Sequence, residues 1–92
     1  MNFRQKVHIP SHIYIQAIDD EMVLLDTQSE NYFGLDGMGT VMWEQLSVSP
    51  SLEDLAEYML KTYDVEEDVL HADITTFIDK LVKNKLITLG EL

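Results

Sequence analysis

The sequence predicts an α+β fold: a three-stranded antiparallel sheet at the front of the chain, then three helices. Three observations predict it. Apolar residues alternate with period two between residues 12 and 35, then recur at helical spacing between residues 38 and 82. Acidic and polar turn residues punctuate both halves, at Asp19-Asp20, 27–31, 47–50 and near Asp64. The chain has 92 residues, 46% of them hydrophobic. A chain of that size buries about 60–65% of its unfolded surface, enough for one modest core. One domain over residues 1–92 is expected, its ordered core about residues 7–89.

Each element has a local reason. Residues 1–11 read as an irregular lead-in, with Val7 and Ile9 tucked against the sheet and Pro10 marking a boundary because it cannot donate to a ladder. Residues 12–18 (HIYIQAI) alternate, placing Ile13, Ile15 and Ala17 on one face and Tyr14, Gln16 and Ile18 on the other. Asp19-Asp20 makes a tight connection, since Asp tolerates turn conformations. Residues 22–26 are more continuously apolar and belong in the middle of the sheet. The third strand is Tyr32-Phe33-Gly34-Leu35. In a simple meander it is an edge.

The period then changes. Met38, Val41, Met42 and Leu46 share one helical face, with Asp36 as N-cap and residues 47–50 (SVSP) as the break. Ser51 caps the second helix, with Asp54 as the distal member of a capping box and Leu52, Leu55, Ala56, Met59, Leu60 and Tyr63 as its apolar stripe. A third helix starts near residues 64–66. Its acids (Asp64, Glu66, Glu67, Asp68) gather at one end and its lysines (Lys80, Lys83, Lys85) at the other, matching the macrodipole. Leu70, Ile74, Phe77, Ile78, Leu81 and Val82 form its buried face. Residues 86–89 are a short extended tail, and the last residues fray. This parts list matches a winged helix-turn-helix domain with its sheet moved to the front.

Composition narrows the function. Seventeen acidic against six basic residues give a net charge of −11, which repels phosphate and argues against nucleic acid. There is no run of about 18 apolar residues for a membrane span and no signal-peptide core behind the N-terminus. The absence of cysteine suits a cytoplasmic protein. No Cys nucleophile, Gly-x-Ser-x-Gly elbow or phosphate loop occurs, so no enzyme is expected. His8, His12 and His71 lack metal-ligand spacing, and no metal or cofactor is expected. Gly34, Gly37 and Gly39 are a strand glycine and helix-start glycines.

Binding is the better prospect. Edge strands are normally blunted by charge, proline or bulges, and residues 32–35 have none of these. An extended peptide can add to such an edge. Glycine in a strand also marks a place where another backbone comes close. On the residues alone, Tyr32 and Phe33 read first as core and hairpin packing and second as a docking surface. Trp43 reads as core.

Residues 23–46 resemble the PqqD-like family, the peptide-recognition elements of ribosomal peptide modification. The likeness rests on Val23-Leu24-Leu25-Asp26, Tyr32-Phe33-Gly34-Leu35-Asp36, and Gly39-Thr40-Val41-Met42-Trp43-Glu44-Gln45-Leu46. It continues through Leu52-Glu53-Asp54-Leu55-Ala56, Tyr63, Ala72-Asp73-Ile74, Phe77, Leu81 and Leu86-Ile87, covering about residues 7–89. It looks closer to the stand-alone proteins of lasso-peptide clusters than to the pyrroloquinoline quinone members. Two positions depart from the pattern. Asp36 replaces an Asn, and Asn84-Lys85 stands where a Gly usually precedes the final Leu-Ile, so the last helix is expected to end differently.

The resemblance implies a winged helix-turn-helix fold that binds the leader of a precursor peptide. The leader would add as an antiparallel strand to the backbone of Asn31, Tyr32, Phe33, Gly34 and Leu35. It would lie against Val69, Asp73, Thr76, Phe77 and Lys80, chosen by helical spacing, with Val69 and Phe77 alternatively core and Thr76 and Lys80 alternatively solvated. The implied partners are a leader peptidase (a cysteine protease) and then an ATP-dependent cyclase. Two alternatives stay open: presentation of a precursor to a radical SAM enzyme, and a winged-helix DNA-binding regulator, which the charge opposes. The oligomeric state, including a dimer through the exposed edge, is open as well.

Overall fold

Residues 2–90 are described by the computed structural model. Their elements in chain order are β1 (Lys6–His8), β2 (Ile13–Ile18), β3 (Glu21–Asp26), β4 (Asn31–Leu35), α1 (Gly37–Val48), α2 (Leu52–Thr62), α3 (Glu67–Lys83) and β5 (Thr88–Gly90). The α+β architecture follows the expected order, and the predicted third strand is β4. Fraying of the final residues, 91–92, lies outside the described part.

Strands β2, β3 and β4 form an antiparallel meander in that order. Asp19 and Asp20 join Ile18 to its partner Glu21, and Asp19 takes the left-handed conformation (φ 54°). A short polar side chain tolerates that region better than most. Residues 27–30 join Asp26 to Asn31. The Asp26 carboxylate secures this turn by accepting the backbone N–H groups of Gln28 (2.9 Å) and Ser29 (3.2 Å).

Register assigns the faces. Ile15, Leu24 and Phe33 form one cross-sheet row and Ala17, Met22 and Leu35 another. Leu24 and Leu35 belong to the buried core, with Ile15, Met22 and Phe33 packed against it. The opposite face carries the rows Tyr14–Leu25–Tyr32 and Gln16–Val23–Gly34. Alternation in the sequence thus becomes a sheet with one face on the helices.

Within the lead-in a short strand forms, and the tail pairs with it. β1 pairs antiparallel with β5, Val7 opposite Leu89. Val7 also donates its N–H to the Pro50 carbonyl (2.7 Å), which ties the lead-in to the entry of α2. The extended tail expected at 86–89 overlaps β5, but the two strands lie at opposite ends of the chain with three residues each, so no local pattern announces their pairing.

The caps explain the helix boundaries. Asp36 Oδ1 accepts the Gly39 N–H at 2.7 Å, and Ser51 Oγ accepts the Asp54 N–H at 3.2 Å. The Asp54 carboxylate accepts from the Ser49 hydroxyl (2.7 Å), so its arm of the expected box goes to Ser49. α1 continues past Leu46 to Val48, with the Ser47 hydroxyl folded back on the Trp43 carbonyl (2.9 Å). That local bond lets a serine sit inside the last turn instead of breaking it. α3 begins at Glu67, after Glu66.

α3 ends in a Schellman motif. Leu86 N–H reaches the Leu81 carbonyl (2.9 Å) and Lys85 N–H the Val82 carbonyl (3.0 Å), with Lys85 at φ 59°. The missing glycine therefore does not change how the helix ends. Lys85 takes the left-handed position at a cost that glycine would avoid.

The core is formed by Leu24 from the sheet, Leu46, Leu52, Leu55 and Met59 from α1 and α2, and Ile74, Ile78, Leu81 and Ile87 from α3 and beyond. Trp43 is buried with them. Met38 and Val82, expected inside, are about two-fifths exposed because each falls at the margin of its helix's apolar stripe.

Candidate functional site: the β4 edge and the flank of α3

β4 has β3 on one side and no strand on the other among the described residues. Its side chains alternate as the pleat requires. Leu35 is buried and Phe33 half-buried, while Asn31, Tyr32 and Gly34 are exposed. Tyr32 is 63% exposed, which overturns its first reading as a packing residue. It stands on the sheet face away from the helices, where Leu25 is its cross-strand partner. Phe33 keeps its packing role. A Cβ built on Gly34 meets no atom within 4 Å, so packing within the chain does not require a glycine there.

Two cavities flank this strand. At its far end the chain turns through Asp36 into α1, and Asp36, Met38, Gly39 and Met42 face Asp73, Thr76, Phe77 and Lys80 across a cavity of about 270 Å³. Four of the five α3 residues named from helical spacing therefore share one wall. Val69 is not among them and stands half-exposed further up the helix. At the near end, Asn31, Tyr32 and Phe33 share a second cavity, of about 60 Å³, with Asp26, Ser29, Asn84 and Leu86.

Local chemistry shapes both ends. At the larger cavity Gly39 lets α1 come close to α3. A Cβ there would sit 3.1 Å from Asp36 Oδ1 and 3.2 Å from Phe77 Cε1. Two carboxylates, one ammonium and one hydroxyl surround an apolar floor of Met42 and Phe77. At the smaller cavity the Ser29 backbone N–H holds the Asp26 carboxyl below the usual carboxylate range. The Gln28 N–H, the Ser29 hydroxyl and the His12 charge add to this, against partial burial pushing it up. His12 Nε2 lies 3.9 Å from Asp26 Oδ1. The arrangement offers backbone hydrogen-bonding groups along an edge and side-chain recesses at both ends.

Asp26, Asp36, Met38, Gly39 and Met42 went unrecognised as wall residues in the sequence. Met38 carried a usable signal, since it begins the α1 stripe where a helix emerges from an edge strand. Asn84 and Leu86 carried none.

The profile of the family described as coenzyme PQQ synthesis protein D (PqqD) matches residues 21–87. A solved structure described as TbiB1 in complex with the TbiA(beta) leader peptide is 30% identical, with a TM-score of 0.78 over 87% of this chain and 93% of that one. Another, lasso peptide synthetase B1 complexed with the leader peptide, is 25% identical, with a TM-score of 0.79 over 90% of this chain and 98% of that one. No curated protein matches the chain.

Proposed function

The chain belongs to the PqqD family, and on that premise we propose that it binds the leader segment of a ribosomally made precursor peptide in lasso-peptide biosynthesis. One observation carries the reading. Among the described residues β4 has an open edge, a recess shared with Asn84 and Leu86 at its start, and a second recess between α1 and α3 just past its end. The similar structures, each described as a complex with a leader peptide, support it.

The leader adds antiparallel to Asn31, Tyr32, Phe33, Gly34 and Leu35. Main-chain hydrogen bonds supply affinity, and the recesses supply selectivity through alternate side chains. Asp73, Thr76, Phe77 and Lys80 form the opposite wall, with Val69 at its upper margin. The protein is a carrier, not a catalyst: it acts in the cytoplasm and hands the leader to a separate cysteine peptidase ahead of the cyclase. The family match also suits presentation to a radical SAM enzyme. Co-purification with the peptidase or with such an enzyme, each encoded beside its own precursor, separates the two.

The test is a titration of ¹⁵N-labelled protein with a synthetic leader of the precursor encoded next to this gene. The expected affinity is micromolar or tighter, about −8 kcal/mol. Amide shifts should concentrate on β4 and α3. Shifts confined to other elements, or no binding, would reject the proposal.

A further inference from the structure

α3 has a second flank. There α2, α3 and Phe3 enclose an open groove of about 510 Å³. It shares no lining residue with either cavity beside β4. Its α3 residues, Glu67 and His71, lie on a different side of that helix from Thr76. At about 100° per residue, Glu67 and Thr76 point half a turn apart. The two flanks can therefore be occupied at once.

Shape and charge describe the occupant. The floor is apolar, made by Phe3, Ala56 and Leu60. Phe3 is held at one end by the His71 ring, with centroids 4.5 Å apart. The α2 residues that line the groove run from Glu53 to Lys61, a stretch of about 12 Å or two helical turns. The rim carries Glu53, Glu57 and Glu67 against a single lysine, Lys61, which is already paired with Glu57 at 2.7 Å. Among the described residues that leaves Glu53 and Glu67 without a lysine or arginine partner, although Glu67 stands 3.9 Å from His71 Nε2. A second copy of a chain with net charge −11 is a poor match for this rim.

We propose that this groove docks a basic amphipathic helix of a partner protein. Its apolar face lies on Phe3, Ala56 and Leu60, and its lysines or arginines reach Glu53 and Glu67. A groove two turns long between two helices suits the helix-in-groove mode of recognition. The site is separate from the leader edge and does not depend on the leader reading.

The experiment uses the full ¹⁵N-labelled chain and a short helical peptide with leucines on one face and lysines on the other. The expected result is a set of shifts centred on Glu53, Ala56, Leu60, Glu67 and His71. Binding should weaken as salt rises. Glu53→Lys combined with Glu67→Lys, both at exposed positions, should weaken it by about fivefold or more. The same double variant should leave a leader titration at β4 unaltered, so failure of one site is distinguishable from failure of the other. Shifts scattered over the acidic surface would overturn the proposal. So would equal binding of a glutamate-for-lysine peptide, equal binding of a proline-broken peptide of the same composition, or an unaffected double variant.

Discussion

The central sheet has two edges, β2 and β4, and they differ in their surroundings more than in themselves. Each has one strand partner among the described residues. Each places an exposed tyrosine in the same cross-sheet row, Tyr14 at 56% and Tyr32 at 63% exposure, with Leu25 between them. Yet no β2 residue lines either cavity beside β4. β4 runs through Asp36 directly into α1, which faces α3 across the larger recess. Unpaired backbone groups offer affinity to any strand. A second wall adds recesses that select among strands.

The strongest way to break this contrast is a set of proline substitutions. Successive N–H groups along a strand point to opposite sides. Of Tyr32→Pro and Phe33→Pro, one removes the N–H bonded to β3 and the other removes the N–H facing outward. The outward variant should keep its fold, as edge strands tolerate proline, and lose about tenfold or more in leader affinity, roughly 1.4 kcal/mol. The matching pair in β2, Gln16→Pro and Ala17→Pro, should contain one folded variant with unaltered leader affinity. Calorimetric titration and circular dichroism read both properties. An equal loss from β2 would erase the distinction between the edges.

A smaller effect sharpens the role of the wall. Lys85 holds a left-handed conformation in the turn between Asn84 and Leu86, both of which line the small recess beside β4. Lys85→Gly should raise stability by about 1 kcal/mol and the melting temperature by about 4–8 °C. A lower melting temperature would show that the lysine side chain outweighs its backbone strain.

The smallest effect concerns the turn into β4. Ser29 and its neighbours depress the folded pKa of Asp26. Its stabilising contribution is therefore complete above the unfolded carboxylate pKa of about 3.9. It is lost as pH falls through the lower folded value. Amide protection factors, taken relative to the intrinsic exchange rate at each pH, should fall in the β3–β4 hairpin in that acid window, ahead of the β2–β3 hairpin. Asp26→Ala should remove this pH dependence.

Much of this molecule is legible residue by residue. Asp36 and Ser51 announce their helices because an N-cap acts within one turn of chain. The meander is readable because alternation and turn residues are local as well. Four of the α3 wall residues follow from helical spacing once the strand edge is placed. Other features depend on distant parts of the chain. β1 pairs with β5 across nearly the whole sequence. Tyr32 looks like a core aromatic until register assigns it to the outer face.

The sequence by itself determined the order of the central meander and the three helices, the N-caps of α1 and α2, most of the buried residues and the likeness that points to a leader-binding strand. These are properties of short windows, governed by side-chain period, capping chemistry and turn conformation. Only the tertiary structure decided that recesses shared with the helices lie at both ends of β4. It also decided that Asp36, Met38, Gly39 and Met42 line one of them, and that α3 has a second, acid-rimmed flank. Each of those facts depends on which elements pack side by side, and packing joins residues that no local pattern connects.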